Sequence, residues 1–323
     1  MNQRMCTGMP TSKMKLRLMT YNIGGGRKSS FHDDPANLNQ AIQMIREIAP
    51  DILAIQEATI RVDAEGAIHS AAQRIAKGAG FDENYAFGAT LSRSEHMNVM
   101  KQLFVESIFH DERDWVQGNA LFSRWRLVRL GNPDLGGEAV NVPIYRPAVY
   151  EGNRDTDPRY ALLARLDIPP LYPYVICTHF TTLVNERSAR DPQMFTLSER
   201  QFMQARHEEA VLIRYRQAQM IVELLREHVL EAGQTAILMG DFNALADEMC
   251  IAEELVEKGG FVHLDLENPA VSTHPKTNGA VDHILIFPPH RLVEYSCRVL
   301  DIPALEDVSD HLPVVADVTF AVS

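Results

Sequence analysis

Ile237-Leu-Met-Gly-Asp-Phe-Asn243 is the stretch around which the chain is organised. Thr235 to Met239 is a short apolar run, the pattern of a strand buried on both faces. Gly240 lets the backbone turn, and Asp241 and Asn243 follow two positions apart. On an extended chain, residues i and i+2 point the same way, so a carboxylate and a carboxamide emerge side by side at the strand end. An unpaired charge at the tip of a buried strand is costly, and packing gives no reason for it. A hard cation and a phosphate do.

Other apolar runs carry polar residues at their ends. Leu16 to Ile23 closes on Asn22, Ile52 to Gln56 on Glu57, and Tyr174 to Thr178 on His179. Ala280 to Phe287 contains Asp282 and His283 near its start, and Ser309-Asp-His-Leu-Pro313 opens the final run, Val314 to Phe320. Six such clusters point to one site along the rim of a sheet core.

Bulk properties narrow the choice further. The 323 residues are 46% hydrophobic and 23% charged, an ordinary globular composition. Motifs spread from Asn22 to His311 favour one catalytic domain over residues 15–323 after a loose tail, 1–14. Cys6, Cys177, Cys250 and Cys297 lack metal-like spacing and read as reduced, mostly core thiols. The start has no apolar stretch of signal-peptide length and no segment reaches membrane-spanning length, so a cytoplasmic protein is expected. A net charge of -12 weighs against broad, unspecific nucleic-acid binding.

Periodicity places helices over 37–49, 69–79 and 246–258, and a long one along Val211, Tyr215, Ala218, Val222, Leu225 and Val229. Arg214, Arg216 and Glu223 are assigned to its solvated face. Met97, Met100, Leu103 and Phe104 have helical spacing within a longer connection. Ala120 to Phe122 and Leu127 to Leu130 look like paired strands, with Arg124, Arg126 and Arg129 as a solvent-facing cluster. Gly131 to Pro158 reads as an irregular, substrate-selecting loop, and 181–206 as a polar insertion. Gly24 to Ser29 fails as a phosphate-binding loop, because Arg27 and Asn22 stand where glycines are needed. Serine-hydrolase and zincin signatures are absent.

Taken in order, Thr20-Tyr-Asn22, Ile55-Gln-Glu57, Gly118-Asn-Ala-Leu-Phe-Ser123, Thr178-His179, Gly240-Asp-Phe-Asn243, Asp282-His283 and Ser309-Asp-His-Leu-Pro313 resemble the endonuclease/exonuclease/phosphatase superfamily. That group includes DNase I-like nucleases, deadenylases, inositol phosphatases and sphingomyelinases. The resemblance runs from about Leu16 to Phe320. It implies a four-layered α/β sandwich, two packed mixed β-sheets flanked by helices. It also implies Mg²⁺-dependent hydrolysis of a phosphoester, with Mn²⁺ able to substitute, by metal-assisted attack of water. A phosphodiester is the expected substrate, and no protein partner is implied.

Mg²⁺ takes a few carboxylate oxygens and keeps several waters. Glu57 is the leading ligand, with Asn22 beside it and Asp310 contributing. By resemblance, Asp241 positions or deprotonates water and Asn243 donates to a phosphate oxygen. His311, paired to Asp282, serves as base or as cationic phosphate clamp. His179 contacts the phosphate or assists the leaving group, and Arg159 faces the phosphate. His283 and Ser309 are read as structural, and His274 carries no motif. The rivals are a nuclease acting on DNA or RNA and a non-catalytic module that kept the fold. Loss of Glu57, Asp241 or His311 would mark the module, and none is lost.

Overall fold

Two seven-stranded mixed sheets stack face to face and helices cover their outer sides. The computed structural model describes residues 12–24, 35–92, 112–131, 137–147, 157–182, 196–275, 277–302 and 308–322. The first sheet holds β1 (Ser12–Asn22), β2 (Ile52–Asp63), β3 (Ile68–Ser70), β4 (Tyr85–Ser92), β5 (Glu112–Ser123), β13 (Leu292–Val299) and β14 (Val314–Val322). Its order is β13-β14-β1-β2-β5-β4, with β3 on β2. The second holds β6 (Leu127–Val128), β7 (Ala139–Tyr145), β8 (Arg159–Leu166), β9 (Tyr174–His179), β10 (Ala236–Asp241), β11 (Val262–His263) and β12 (Asp282–Phe287). It runs β11-β12-β10-β9-β8-β6, with β7 on β8. One parallel pair lies in each sheet, β1 with β2 and β10 with β9.

The period-two alternation of each strand divides its side chains between layers. Along β10, Ile237 and Met239 enter the inter-sheet core with Leu18, Ala54, Val175 and Ile284. Ala236 and Leu238 face the outer layer with Ala218, Val222 and Leu255. The run is therefore buried on both faces, as its unbroken apolarity requires. On the far side, α1 (Pro35–Ile48) and α2 (Ala71–Ala79) bury Ala41, Ile45, Ala72 and Ile75 against Met19, Leu53 and Ile55. Ser70 caps α2 by accepting from the Gln73 amide, and Gly80 closes it at φ 74°. The second sheet is covered by α3 (Leu197–Leu225) and by α4 (Cys250–Lys258). Thr196 and Glu199 form a reciprocal capping box at the start of α3. No described helix is long and apolar enough to cross a membrane.

Several sequence expectations change. The strand begins at Ser12, so the last residues assigned to a tail pair with Val322, Ala321 and Phe320. Ala120–Phe122 and Leu127–Val128 do not pair: β5 joins β2 and β4, whereas β6 crosses to β8 of the other sheet. Within 131–158, β7 forms a strand on β8, its Val140, Val142 and Ile144 alternating around Pro143 at a register shift. A sheet edge tolerates proline there because no inward amide is needed. Part of the 181–206 insertion is already helical from Leu197, and the helix expected from 246 is regular only from Cys250, wound with i→i−5 bonds at its end. Residues 97–104, like 25–29, lie outside the described residues.

Two arginines assigned to solvent are structural. Arg214 is fully buried and forks onto Glu248 at 2.6 and 3.0 Å. Arg124 donates to the carbonyls of Pro50, Ala79 and Gly80 and lies over the Phe81 ring.

Candidate active site

The site forms along one rim, where β1, β9 and β10 end, β12 begins and β2 carries a bulge. β10 and β9 run parallel with Gly240 beside Thr178 and Asp241 beside His179. A Cβ at Gly240 would sit far inside contact distance of the Thr178 carbonyl oxygen. Only glycine allows the two strands this approach, which brings Asp241 and His179 level. Asn243 then turns back at φ 47°, a conformation asparagine tolerates. Its amide N–H donates to Asp241 Oδ1 at 2.9 Å and its Nδ2 to the Phe180 carbonyl at 3.1 Å.

Asp241 Oδ2 is the hub. It accepts from Asn22 Nδ2 at 2.9 Å, with His179 Nε2 at 3.4 Å and His311 Nε2 at 3.6 Å. Behind His311, the Asp282 carboxylate holds Nδ1 at 2.8 Å. Ser309 ties two distant segments together, donating to the Asn22 carbonyl at 2.7 Å and accepting the His311 amide at 3.1 Å. Its structural reading therefore fits, as does that of His283. The His283 Nε2–H donates to the Ala244 carbonyl at 2.9 Å, leaving Nδ1 to accept from His263 Nε2, also at 2.9 Å.

Glu57 lies at a bulge in β2, between Ile55 and Ala58 in the register with β5, and holds φ 58°. A glutamate in the left-handed region is strained by on the order of 1 kcal/mol or more and persists where its surroundings fix it. The preceding Gln56 supplies that fixing from the inter-sheet layer, accepting from Thr20 and donating to Cys177 Sγ. The turned carboxylate then meets two amides, Asn22 Nδ2 at 3.4 Å and Gln117 Nε2 at 3.0 Å. Gln117 carried no sequence signal, since only the bulge aims Glu57 at it.

Charge in the site is set by burial against neighbours. Burial pushes the Asp241 carboxyl up to about 6; His311 opposes this, Asp282 adds to it, and the Asn22 and Asn243 N–H groups oppose it. Burial alone would lower the His311 pKa, but the carboxylates of Asp282 and Asp241 carry it up to about 10. His311 is thus a cation at neutral pH, between two carboxylates. Burial and then His263 push His283 down to about 3, so it stays neutral.

The structure brings Asn22, Glu57, His179, Asp241, Asn243, Asp282 and His311 into one bonded network. Asp310 adjoins it, exposed, with Oδ2 3.4 Å from His274 Nε2 and Oδ1 on the Gly24 side. Arg159 is buried at the start of β8, with Asp157 at 3.7 Å. It lies two residues past the Ala161–Thr178 pair, at the rim where β9 ends in His179. Among the described residues, two acid and histidine groups could hold a metal ion: Asp241, Asp282 and His311, and His274, Asp310 and His311. Glu57 forms no ion pair among the described residues, so its charge is met only by carboxamides. One carboxylate with carboxamide neighbours at an open rim fits Mg²⁺, which keeps much of its water.

Comparison with known proteins agrees with this fold. The model of the Endonuclease/Exonuclease/phosphatase family matches residues 19–311. An endonuclease/exonuclease/phosphatase from Beutenbergia cavernae DSM 12333 superposes with a TM-score of 0.65 at 19% identity, over 95% of this chain and 72% of that one. The human Nocturnin catalytic domain with bound sulfate gives 0.56 at 17% identity, over 96% and 97%. Truncated Caenorhabditis elegans TDP2 gives 0.54 at 14% identity, over 95% and 97%. No curated protein matches the chain.

Proposed function

The chain belongs to the endonuclease/exonuclease/phosphatase family, and on that premise we propose that it hydrolyses a phosphodiester with Mg²⁺, or Mn²⁺ in its place. The observation that carries the reading is the Asp241 carboxylate, bracketed by Asn22, His179 and a His311 that Asp282 holds from behind. Around it stand Glu57, Asp282 and Asp310 against the cations His311 and Arg159. A phosphodiester anion is repelled by such a surplus of carboxylates unless a divalent cation balances it.

Glu57 and Asn22, with Asp310, would hold the ion, which supplies charge neutralisation at the phosphate when bound. Asp241, lifted toward neutrality by burial, accepts the proton of the attacking water. The His311 cation clamps the phosphate while Asp282 fixes its ring. His179, at the same height on β9, meets the phosphate or the leaving oxygen. Asn243, anchored by its Nδ2 on the Phe180 carbonyl, donates to a non-bridging oxygen. Arg159 offers a bidentate fork from the β8 side.

A small or single-stranded phosphodiester fits better than long duplex DNA. The chain has 43 acidic against 31 basic side chains, and Arg124, from its best basic cluster, is committed to backbone carbonyls. The test is a panel of nucleic acids, bis-p-nitrophenyl phosphate, inositol phosphates and phospholipids with Mg²⁺ or Mn²⁺. EDTA should abolish turnover, and Glu57→Gln should weaken Mg²⁺ binding in calorimetry while the unfolding curve stays put. Full activity in excess EDTA would remove the metal reading. Duplex cleavage falling about a thousandfold between roughly 50 and 200 mM salt, the mark of many phosphate contacts, would put a duplex nuclease first.

A further inference from the structure

We propose that His274, Asp310 and His311 form a second cation site, selective for a borderline transition metal such as Zn²⁺, and that filling it stops turnover. Its inhibitory half rests on the role given to His311 above; the site itself does not. One donor atom from each of the three lies within 4.8 Å of the other two. His274 Nε2 and Asp310 Oδ2 are already 3.4 Å apart. Tetrahedral zinc with donors about 2.0–2.1 Å away separates them by roughly 3.3 Å. The two imidazole rings approach at 4.8 Å between centroids, tilted by 58°.

His311 carries an independent mark of a ligand. Its Nδ1 is held by the buried Asp282 carboxylate at 2.8 Å, so Nε2 is the coordinating nitrogen, and the metal displaces its proton to solvent. A histidine that binds metal almost always has its other ring nitrogen held in this manner, which fixes the tautomer and raises its basicity. Asp310 supplies the third donor from the solvent side, where its side chain is 49% exposed, so a coordination position stays open to water. Two imidazoles and one carboxylate suit Zn²⁺ or Co²⁺ and not Mg²⁺, which takes oxygen donors.

Asp310 faces both sites. Its Oδ1 is the atom near Gly24, whose amide is bonded to Asn22, while Oδ2 turns to His274. The hard-cation site around Glu57 and the proposed site therefore share one carboxylate and differ in all other donors. Zinc on His311 Nε2 removes that nitrogen from Asp241 and from a phosphate, so occupancy and turnover oppose each other.

The experiment titrates the full chain, in saturating Mg²⁺, with Co²⁺ followed by its visible ligand-field absorption, and then displaces Co²⁺ with Zn²⁺. Wild type should bind one Co²⁺. His274→Gln should bind at least about 100-fold more weakly, the upper end of what losing even an outer partner costs. Glu57→Gln should leave Co²⁺ binding unchanged and Asp310→Asn should weaken both ions. In assays, Zn²⁺ should inhibit wild type at its binding midpoint. His274→Gln should turn over normally in Mg²⁺ and resist zinc by the same factor. His274→Asn and a metal-free thermal unfolding curve check that the substitution spares the fold. Equal Co²⁺ or Zn²⁺ affinity in wild type and both His274 variants would overturn the site. Zinc that binds through His274 without slowing turnover would overturn the inhibitory role, and with it the part given to His311.

Discussion

Replacing Arg214 by methionine should destabilise the protein by about 3–4 kcal/mol. The side chain is wholly buried beneath α3. Its Nε and Nη2 fork onto Glu248 at 2.6 and 3.0 Å, and its Nη1 donates to the Thr181 and Thr182 carbonyls at 3.3 Å each. One residue thus ties the chain leaving His179 to the chain leaving Asn243. Removing one partner of a buried ion pair costs about 3–5 kcal/mol, because the other charge is stranded. Glu248 keeps 17% side-chain exposure, so water relieves part of that and the lower half of the range applies. Replacing both residues by methionine removes the stranded charge, and such swaps are often close to neutral. The Thr181 carbonyl still loses a donor in a buried place, at roughly 1–3 kcal/mol. The double variant should therefore lose only about 1–2 kcal/mol, which makes it more stable than the single one. Urea unfolding followed by circular dichroism, run as a double-mutant cycle, measures both. An Arg214→Met cost below about 1 kcal/mol, or a double variant less stable than the single, would refute the account of Arg214 as a buried clamp.

The kcat/KM of the free enzyme should rise as Asp241 ionises near pH 6 and fall as His311 loses its proton near pH 10. Asp282→Asn should move the alkaline limb down, and an unmoved limb would separate Asp282 from His311. The linked stability, by contrast, falls with rising pH at both groups. His311, raised above its ordinary 6.5, contributes stability that is full below that value and lost as pH climbs through about 10. Asp241, also raised, binds its proton more tightly when folded, so its contribution declines as pH rises from 3.8 through about 6. Gly240→Ala should cost at least about 1–3 kcal/mol as an overpacked site, because its Cβ meets strand backbone rather than a movable side chain. A variant as stable as wild type in urea would show that β9 and β10 can separate freely.

Local chemistry wrote much of this protein into its sequence. The apolar run 235–239 had to be a strand buried on both faces, and Gly80 had to end α2. The order of the motifs, from Asn22 to His311, announced one rim and one family. Those signals survive in sequence because backbone periodicity and turn chemistry act over a few residues. What depended on long-range partners was not legible there. Arg214 looked like any helical surface charge until Glu248, 34 positions away, was seen beneath it. Leu127–Val128 looked like a partner for its neighbour β5 and instead joined the other sheet. Pro143 disguised β7, because only an edge position makes a proline harmless in a strand. Gln117 and His274 gained their places only when the bulge at Glu57 and the turn at Asp310 aimed carboxylates at them. A charge finds its partner through space. In a chain whose core is two stacked sheets, that partner is set by strand order and register, which no local pattern encodes.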